Sequence, residues 1–163
     1  MAKQEAETQT QPEFSTFDPA LFMNQEIEGE MDTVYPTVPD GEYISCLDEL
    51  TEANFKEVNG TPVVDLYHIL DNPELSEKMG MERLAVKQSL FLDVDGSGNL
   101  AMGPGKNVKL ARLRAAVGQN DASQTWNITK LSNAGPMRIK VGSKPDKDDP
   151  TIKYNKVIAT SRL

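Results

Sequence analysis

The chain has one cysteine and one histidine in 163 residues. Cys46 alone cannot form an internal disulfide or a multi-cysteine zinc site. His68 alone excludes a histidine cluster and catalysis by paired histidines. No run approaches the ~18 consecutive apolar residues of a membrane-spanning helix, and none of the classes that need one is expected. The opening "MAKQEAETQTQPEF" has no apolar stretch, so no secretory signal is expected there. A reducing, cytoplasmic setting follows from the lone cysteine. Basic residues are scarce through the first hundred positions, where 5 Lys and Arg face 21 Asp and Glu.

The last 63 residues reverse that balance, with 12 Lys and Arg against 4 Asp and Glu. An acidic total of −8 therefore hides a basic C-terminal part. Phosphates respond to the local patch and not to the total, so a nucleic-acid partner stays open. The plainer reading is that these cations only solubilise the strands that carry them. At 163 residues the chain is long enough for one domain with a real core.

Residues 1–38 are rich in Gln, Glu and Thr, with apolar residues in isolated groups such as "FSTF" and "PALF". They read as an extended acidic arm preceding a domain over 39–163. The domain opens at the turn Pro39-Asp40-Gly41. Tyr43, Ser45 and Leu47 alternate with Ile44, Cys46 and Asp48 in a first strand. "TEANFKEVNG" reads as a polar loop ending in the hairpin dipeptide Asn-Gly. "TPVVDLYHIL" is a second strand, rich in β-branched residues. "NPELSEKMGM" is a short helix, with Asn72 as N-cap, Pro73 at its first position and Gly80 as C-cap. "LAVKQSLFLDV" is the third strand. "GKNVKLARLRAAVGQN" is the main helix, capped by Asn107 and stopped by Gly118, with Leu110, Leu113 and Val117 at helical spacing. "QTWNITKLSNAG" adds a short helical turn. "PMRIKVGS" and "PTIKYNKVIATS" are the fourth and fifth strands, joined by the turn "KPDKDD".

Three strands, a helix and two strands is the order of an OB-fold. The expected class is mainly β (α+β): a five-stranded OB-like barrel with its helix between strands 3 and 4.

Two motifs suggest ligands and fail on counting. "DVDGSGNL" at 93–100 begins like a calcium-binding EF-hand loop, with Asp93, Asp95 and Ser97 at positions 1, 3 and 5 and Gly98 at 6. Position 12 is Pro104, where that loop needs a bidentate Glu, and the preceding residues have a strand period. A Gly-rich turn is expected instead. "GPGKN" at 103–107 lacks the first Gly and the Ser or Thr of a phosphate loop, having Leu100 and Asn107 there. Lys106 could still meet a phosphate at the helix start. No nucleophile sits in a recognised motif. Cys46 reads as a small buried hydrophobe and His68 as a packed or half-exposed strand residue. A non-enzyme without metal or cofactor is expected.

What remains is a set of cations and aromatic rings on strands: Tyr67, Lys87, Phe91, Arg138, Lys140, Lys144, Lys153, Tyr154 and Lys156. Single-stranded nucleic acid is held by cations along its backbone and rings beneath its bases. Each ring taken singly is more often core than platform. Trp126 is expected to cap the core.

The segments "FDPALF", "PTVPDGEYISCL", "FLDVDGSGNLAMGPGKNVKLARLRAAVG", "GPMRIKVGS" and "IKYNKVIATSRL" resemble a family of small bacteriophage single-stranded DNA-binding proteins, over roughly residues 17–163. The resemblance implies a non-catalytic role in phage DNA replication or recombination, in the host cytoplasm. It implies single-stranded DNA as partner, and leaves open a homo-oligomer and replication or recombination proteins reached through the acidic arm. No membrane partner is expected. The chain departs from the family in its acidic "EANFKEVNG" after the first strand. Its acidic element is also N-terminal, whereas such proteins carry an acidic C-terminal tail. The alternative is a virion assembly protein whose arm packs on neighbouring subunits.

Overall fold

The computed structural model describes residues 18–163, and residues 1–17 of the expected arm lie outside them. Internal contacts divide the chain between Thr33 and Val34. In the first unit, helix α1 spans Pro19–Asn24, so the arm is not extended throughout. Its start is locally encoded. Asp18 accepts a hydrogen bond from the Ala20 amide at 3.0 Å, and Pro19 occupies the first turn, where a missing N–H costs nothing. No residue of α1 is buried.

The second unit is built on six strands: β1 (Gly41–Leu47), β2 (Phe55–Val58), β3 (Thr61–Leu70), β4 (Ala85–Phe91), β5 (Met137–Pro145) and β6 (Lys153–Ser161). Helix α2 spans Pro73–Met79 and α3 spans Val108–Ala116, with 3-10 turns at Glu52–Asn54 and Ile128–Asn133. Every ladder is antiparallel. Strand β3 is central. It carries β4 along one edge, and β2 then β1 along the other. From β1 the sheet continues through β5 to β6.

This corrects the expected five-stranded OB-like barrel. The sheet has six strands, and no ladder joins its end strands β4 and β6, so it stays open. The segment "TEANFKEVNG" is not a loop. Asn59 and Gly60 both take positive φ, the requirement of a tight hairpin, and fold β2 back onto the first residues of β3. Only Ser45, Cys46 and Leu47 of β1 then reach β3, opposite Leu70, Ile69 and His68.

The core forms on one face of the sheet. Val64, Leu66, His68 and Leu70 of β3 point inward, as do Val86 and Leu90 of β4 and Met137, Ile139 and Val141 of β5. Period-two alternation of side chains accounts for each set. Leu110 and Leu113 of α3 and Leu131 of the second 3-10 turn complete the cluster. Val38 belongs to it as well. Its backbone N–H donates to Asn155 Oδ1 and its carbonyl accepts from Asn155 Nδ2, each at 2.9 Å.

Helix α2 has the caps its sequence specifies. Asn72 accepts from the Leu75 amide, and Gly80 takes the left-handed conformation at φ 65°. Helix α3 departs from expectation. Asn107 precedes it at φ 49° without capping it. Its side chain serves the loop instead, donating to the carbonyls of Asp93 and Ala101 and accepting from the Asp93 amide.

The stretch 93–100 is a hairpin turn, with Val94 bridged to Leu100. The Asp95 carboxylate accepts from the amides of Ser97 at 2.8 Å and Asn99 at 3.0 Å. Asp93 accepts from the Asn107 amide at 2.8 Å. The acids that suggested a calcium loop are acceptors for backbone N–H groups. Among the described residues no cluster of three or more His, Cys, Asp or Glu is placed to hold a metal ion, and no helix is long and apolar enough to cross a membrane.

Candidate nucleic-acid interface

The solvent face of the sheet follows from the core by alternation. On β3 and β4 the outward parity sets Tyr67 directly opposite Lys87, and Val63, itself fully buried, opposite Phe91. Phe91 is 62% exposed, an expensive placement for an aromatic ring. On β2, Lys56 stands opposite Val63 and reaches diagonally to Asp65, 3.1 Å away. Burial works to raise the Asp65 pKa. Hydrogen bonds from Ser89 and Lys56 outweigh it and hold the carboxyl below its ordinary value. That acid is thus neutralised within the face.

On β1 and β5 the same face carries Ile44 opposite Arg138 and Glu42 opposite Lys140. On β5 and β6 it carries Lys144 opposite Tyr154 and Gly142 opposite Lys156. The β5–β6 register shifts beside Lys140 and Val141. Ile158 lies in this irregular stretch, with its Cδ1 2.5 Å from where a side chain on Gly142 would begin. Gly142 is therefore the seat of an exposed isoleucine. Tyr154 is 42% exposed, which places it on the surface and not in the core. A hydrogen bond to Asp146 pushes its hydroxyl pKa up.

Eight of the nine expected residues share this face. Tyr67, Lys87 and Phe91 form one group. Arg138, Lys140, Lys144, Tyr154 and Lys156 form another. Strand β1 lies between them, with Cys46 beside Ile69. Lys153 departs from the set. It shares the parity of Asn155 and Val157 and points to the other side of β6.

Of three further positions, Cys46 corrects expectation, whereas His68 is packed as expected and Trp126 packs against the core. Cys46 is exposed, because β1 turns Ser45 and Leu47 inward. His68 is fully buried. Its Nδ1 lies 3.1 Å from Ser45 Oγ and its Nε2 lies 2.8 Å from Gln88 Oε1. Gln88 can only accept at Oε1, so Nε2 carries the proton and Nδ1 accepts from Ser45. Burial pushes the His68 pKa below its ordinary 6.5. A Ser–His pair sealed in this way has no access to a substrate. Trp126 is half-buried, with the Arg114 guanidinium carbon 4.2 Å from its ring centroid.

Sequence reasoning missed Lys56 and Ile44 on the solvent face. Lys56 was legible: Asn59-Gly60 marks a hairpin, and a hairpin needs a strand before it.

No family model, curated protein or solved structure matches the chain.

Proposed function

We propose that the chain is a non-catalytic single-stranded DNA-binding protein of the phage replication or recombination type, acting in the cytoplasm through the solvent face of its sheet. One observation carries the reading. Two aromatic residues of this face each stand in register with a lysine, Tyr67 with Lys87 and Tyr154 with Lys144. Each pair sets a cation for the phosphate beside a ring for the base. The flanking Phe91, Arg138, Lys140 and Lys156 extend the same alternation. Stacking contributes about 1–3 kcal/mol per base, so three rings and this number of cations suffice for useful affinity.

The test is a fluorescence titration of labelled dT oligomer at two salt concentrations. Saturable binding that weakens with salt supports the proposal. No binding at low salt removes it.

A second reading has its own support. Leu21, Met23, Ile27 and Met31 in the first unit are all exposed. An assembly protein would bury such residues against a neighbouring subunit. Sedimentation of the full chain and of a form lacking residues 1–33 separates the two. Self-association that disappears with the arm, without oligonucleotide binding, favours assembly.

A further inference from the structure

A cavity of about 620 Å3 lies between the loop 100–107, one flank of α3 and the loop 119–126. Sites for small ligands span roughly 300–1,000 Å3. Leu100, Leu110 and Trp126 supply apolar wall, and the charged lining is Lys106, Arg114 and Asp121.

The two cations of this cavity outnumber its one acid and make no ion pair with it. Asp121 turns its carboxylate to the Ser123 amide at 2.9 Å and the Ser123 hydroxyl at 2.8 Å. The ion pairs among the described residues are Lys56–Asp65 and Arg83–Asp48, so neither Lys106 nor Arg114 has an acidic partner. Arg114 is held rigidly all the same. It donates to the Gln119 carbonyl at 3.1 Å, while Gln119 Oε1 accepts from Trp126 Nε1 at 2.8 Å. One glutamine thus locks the arginine to the ring it stacks on. The Arg114 Nε is buried with no acceptor, a costly arrangement for a guanidinium. A pre-organised, unpaired arginine beside an aromatic ring favours an anionic or carbonyl-bearing planar ligand.

The two ends of the cavity differ. Lys106 sits just before α3, where the Asp93 carboxylate accepts from the Asn107 amide at 2.8 Å and the Asn107 side chain is engaged with the carbonyls of Asp93 and Ala101. Arg114 and Trp126 lie at the other end, with the amide side chains of Asn120 and Gln124 also in the lining. Seven residues of helix between Asn107 and Arg114 rise about 10 Å, comparable to the reach from a 5′-phosphate to the far edge of its base. Carboxamides and guanidinium groups are the side chains that read base edges.

The geometry points to a site for a nucleoside 5′-phosphate, with its phosphate at Lys106 and its base against Trp126, edged by Arg114, Asn120 and Gln124. The ligand is either a free nucleotide or the 5′-phosphorylated end of a strand. The site shares no residue with the solvent face of the sheet and stands independently of the function proposed above.

Trp126 is the single tryptophan of the chain, so intrinsic emission reports this cavity directly. The full chain is titrated with dTMP, dAMP and inorganic phosphate. The same titration follows for Lys106→Ala, whose exposed side chain can be lost without unfolding, and for Arg138→Ala/Lys140→Ala. A saturable change with a nucleotide is expected, about tenfold weaker in Lys106→Ala and unaltered in the double variant. Oligomers with a 5′-phosphate or a 5′-hydroxyl, added to the double variant, identify the source. A response to the phosphorylated end alone assigns a strand terminus, and a response to monomers alone assigns a free nucleotide. The proposal fails if neither nucleotide gives a saturable change, if inorganic phosphate binds as tightly as the nucleotides, or if Lys106→Ala binds like the parent. Absence of dT binding by the unaltered full chain, with a retained nucleotide response, would sink the sheet reading and leave this one standing.

Discussion

The side-chain amide of Asn155 holds the backbone of Val38 at both its N–H and its carbonyl, 117 positions away in the chain. Val38 is 6% exposed and packs into the core. The residues just before β1 are thereby tied to β6. A form lacking residues 1–33 should melt like the full chain. A form lacking residues 1–38 should lose stability, because Asn155 is stranded and a core residue is gone. Asn155→Ala should cost about 1–3 kcal/mol, the penalty of leaving partly buried backbone groups unpaired. Denaturant midpoints of the three forms check this, and equal midpoints for the two truncations would show the clamp to be dispensable.

Stability should fall as pH drops below 6.5. The folded state depresses the His68 pKa beneath its ordinary 6.5 through burial. The unfolded chain therefore takes up the proton first. The contribution is fully present above 6.5 and is lost on acidification towards the folded value. Urea midpoints at pH 8, 6.5 and 5 should decline, and His68→Gln should flatten the decline. The carboxylate of Asp65, with its pKa lowered from 3.8, acts in a separate and more acidic window.

Arg138→Ala/Lys140→Ala should weaken oligonucleotide binding and flatten its salt dependence by roughly 0.7 per cation lost. Tyr154→Ala should weaken binding by about 1–3 kcal/mol with little change in slope, since stacking releases no counterions. Tyr154 is exposed, so its melting temperature should move by no more than about 0.5 kcal/mol of stability implies. Paired titrations and melts test both statements. A double variant binding as tightly as the parent, with an unchanged slope, would take this surface out of consideration.

Asp95→Asn should leave the turn at 93–100 intact, because a carboxamide oxygen can still accept from Ser97 and Asn99. Asp95→Ala removes that acceptor and should cost about 1 kcal/mol. Calcium should raise the melting temperature of neither variant nor parent, and calorimetry should show only heat of dilution. A calcium-dependent melting shift lost in Asp95→Asn would establish a metal site instead.

Elements whose cause is local were legible in the residues. Asn72, Pro73 and Gly80 bracket α2 because cap, first-turn proline and left-handed glycine act within a few positions. The alternation in "MRIKVGS" sends Arg138 and Lys140 outward because pleating has a period of two whatever lies beyond. Most of the candidate surface was readable for that reason. What the tertiary structure decided was every choice between partners distant in sequence. Whether β4 and β6 meet in a ladder depends on strand lengths and register across the whole sheet, and β2 takes an edge of β3 that β1 would otherwise share. Cys46 is exposed because β1 presents Ser45 to a buried histidine on another strand. Asn107, a fitting cap by its type, is drawn to Asp93 and Ala101, which only folding brings within reach. Hydrogen-bonding groups take the partner that three-dimensional proximity offers, and proximity between residues 38 and 155 is written in no local pattern.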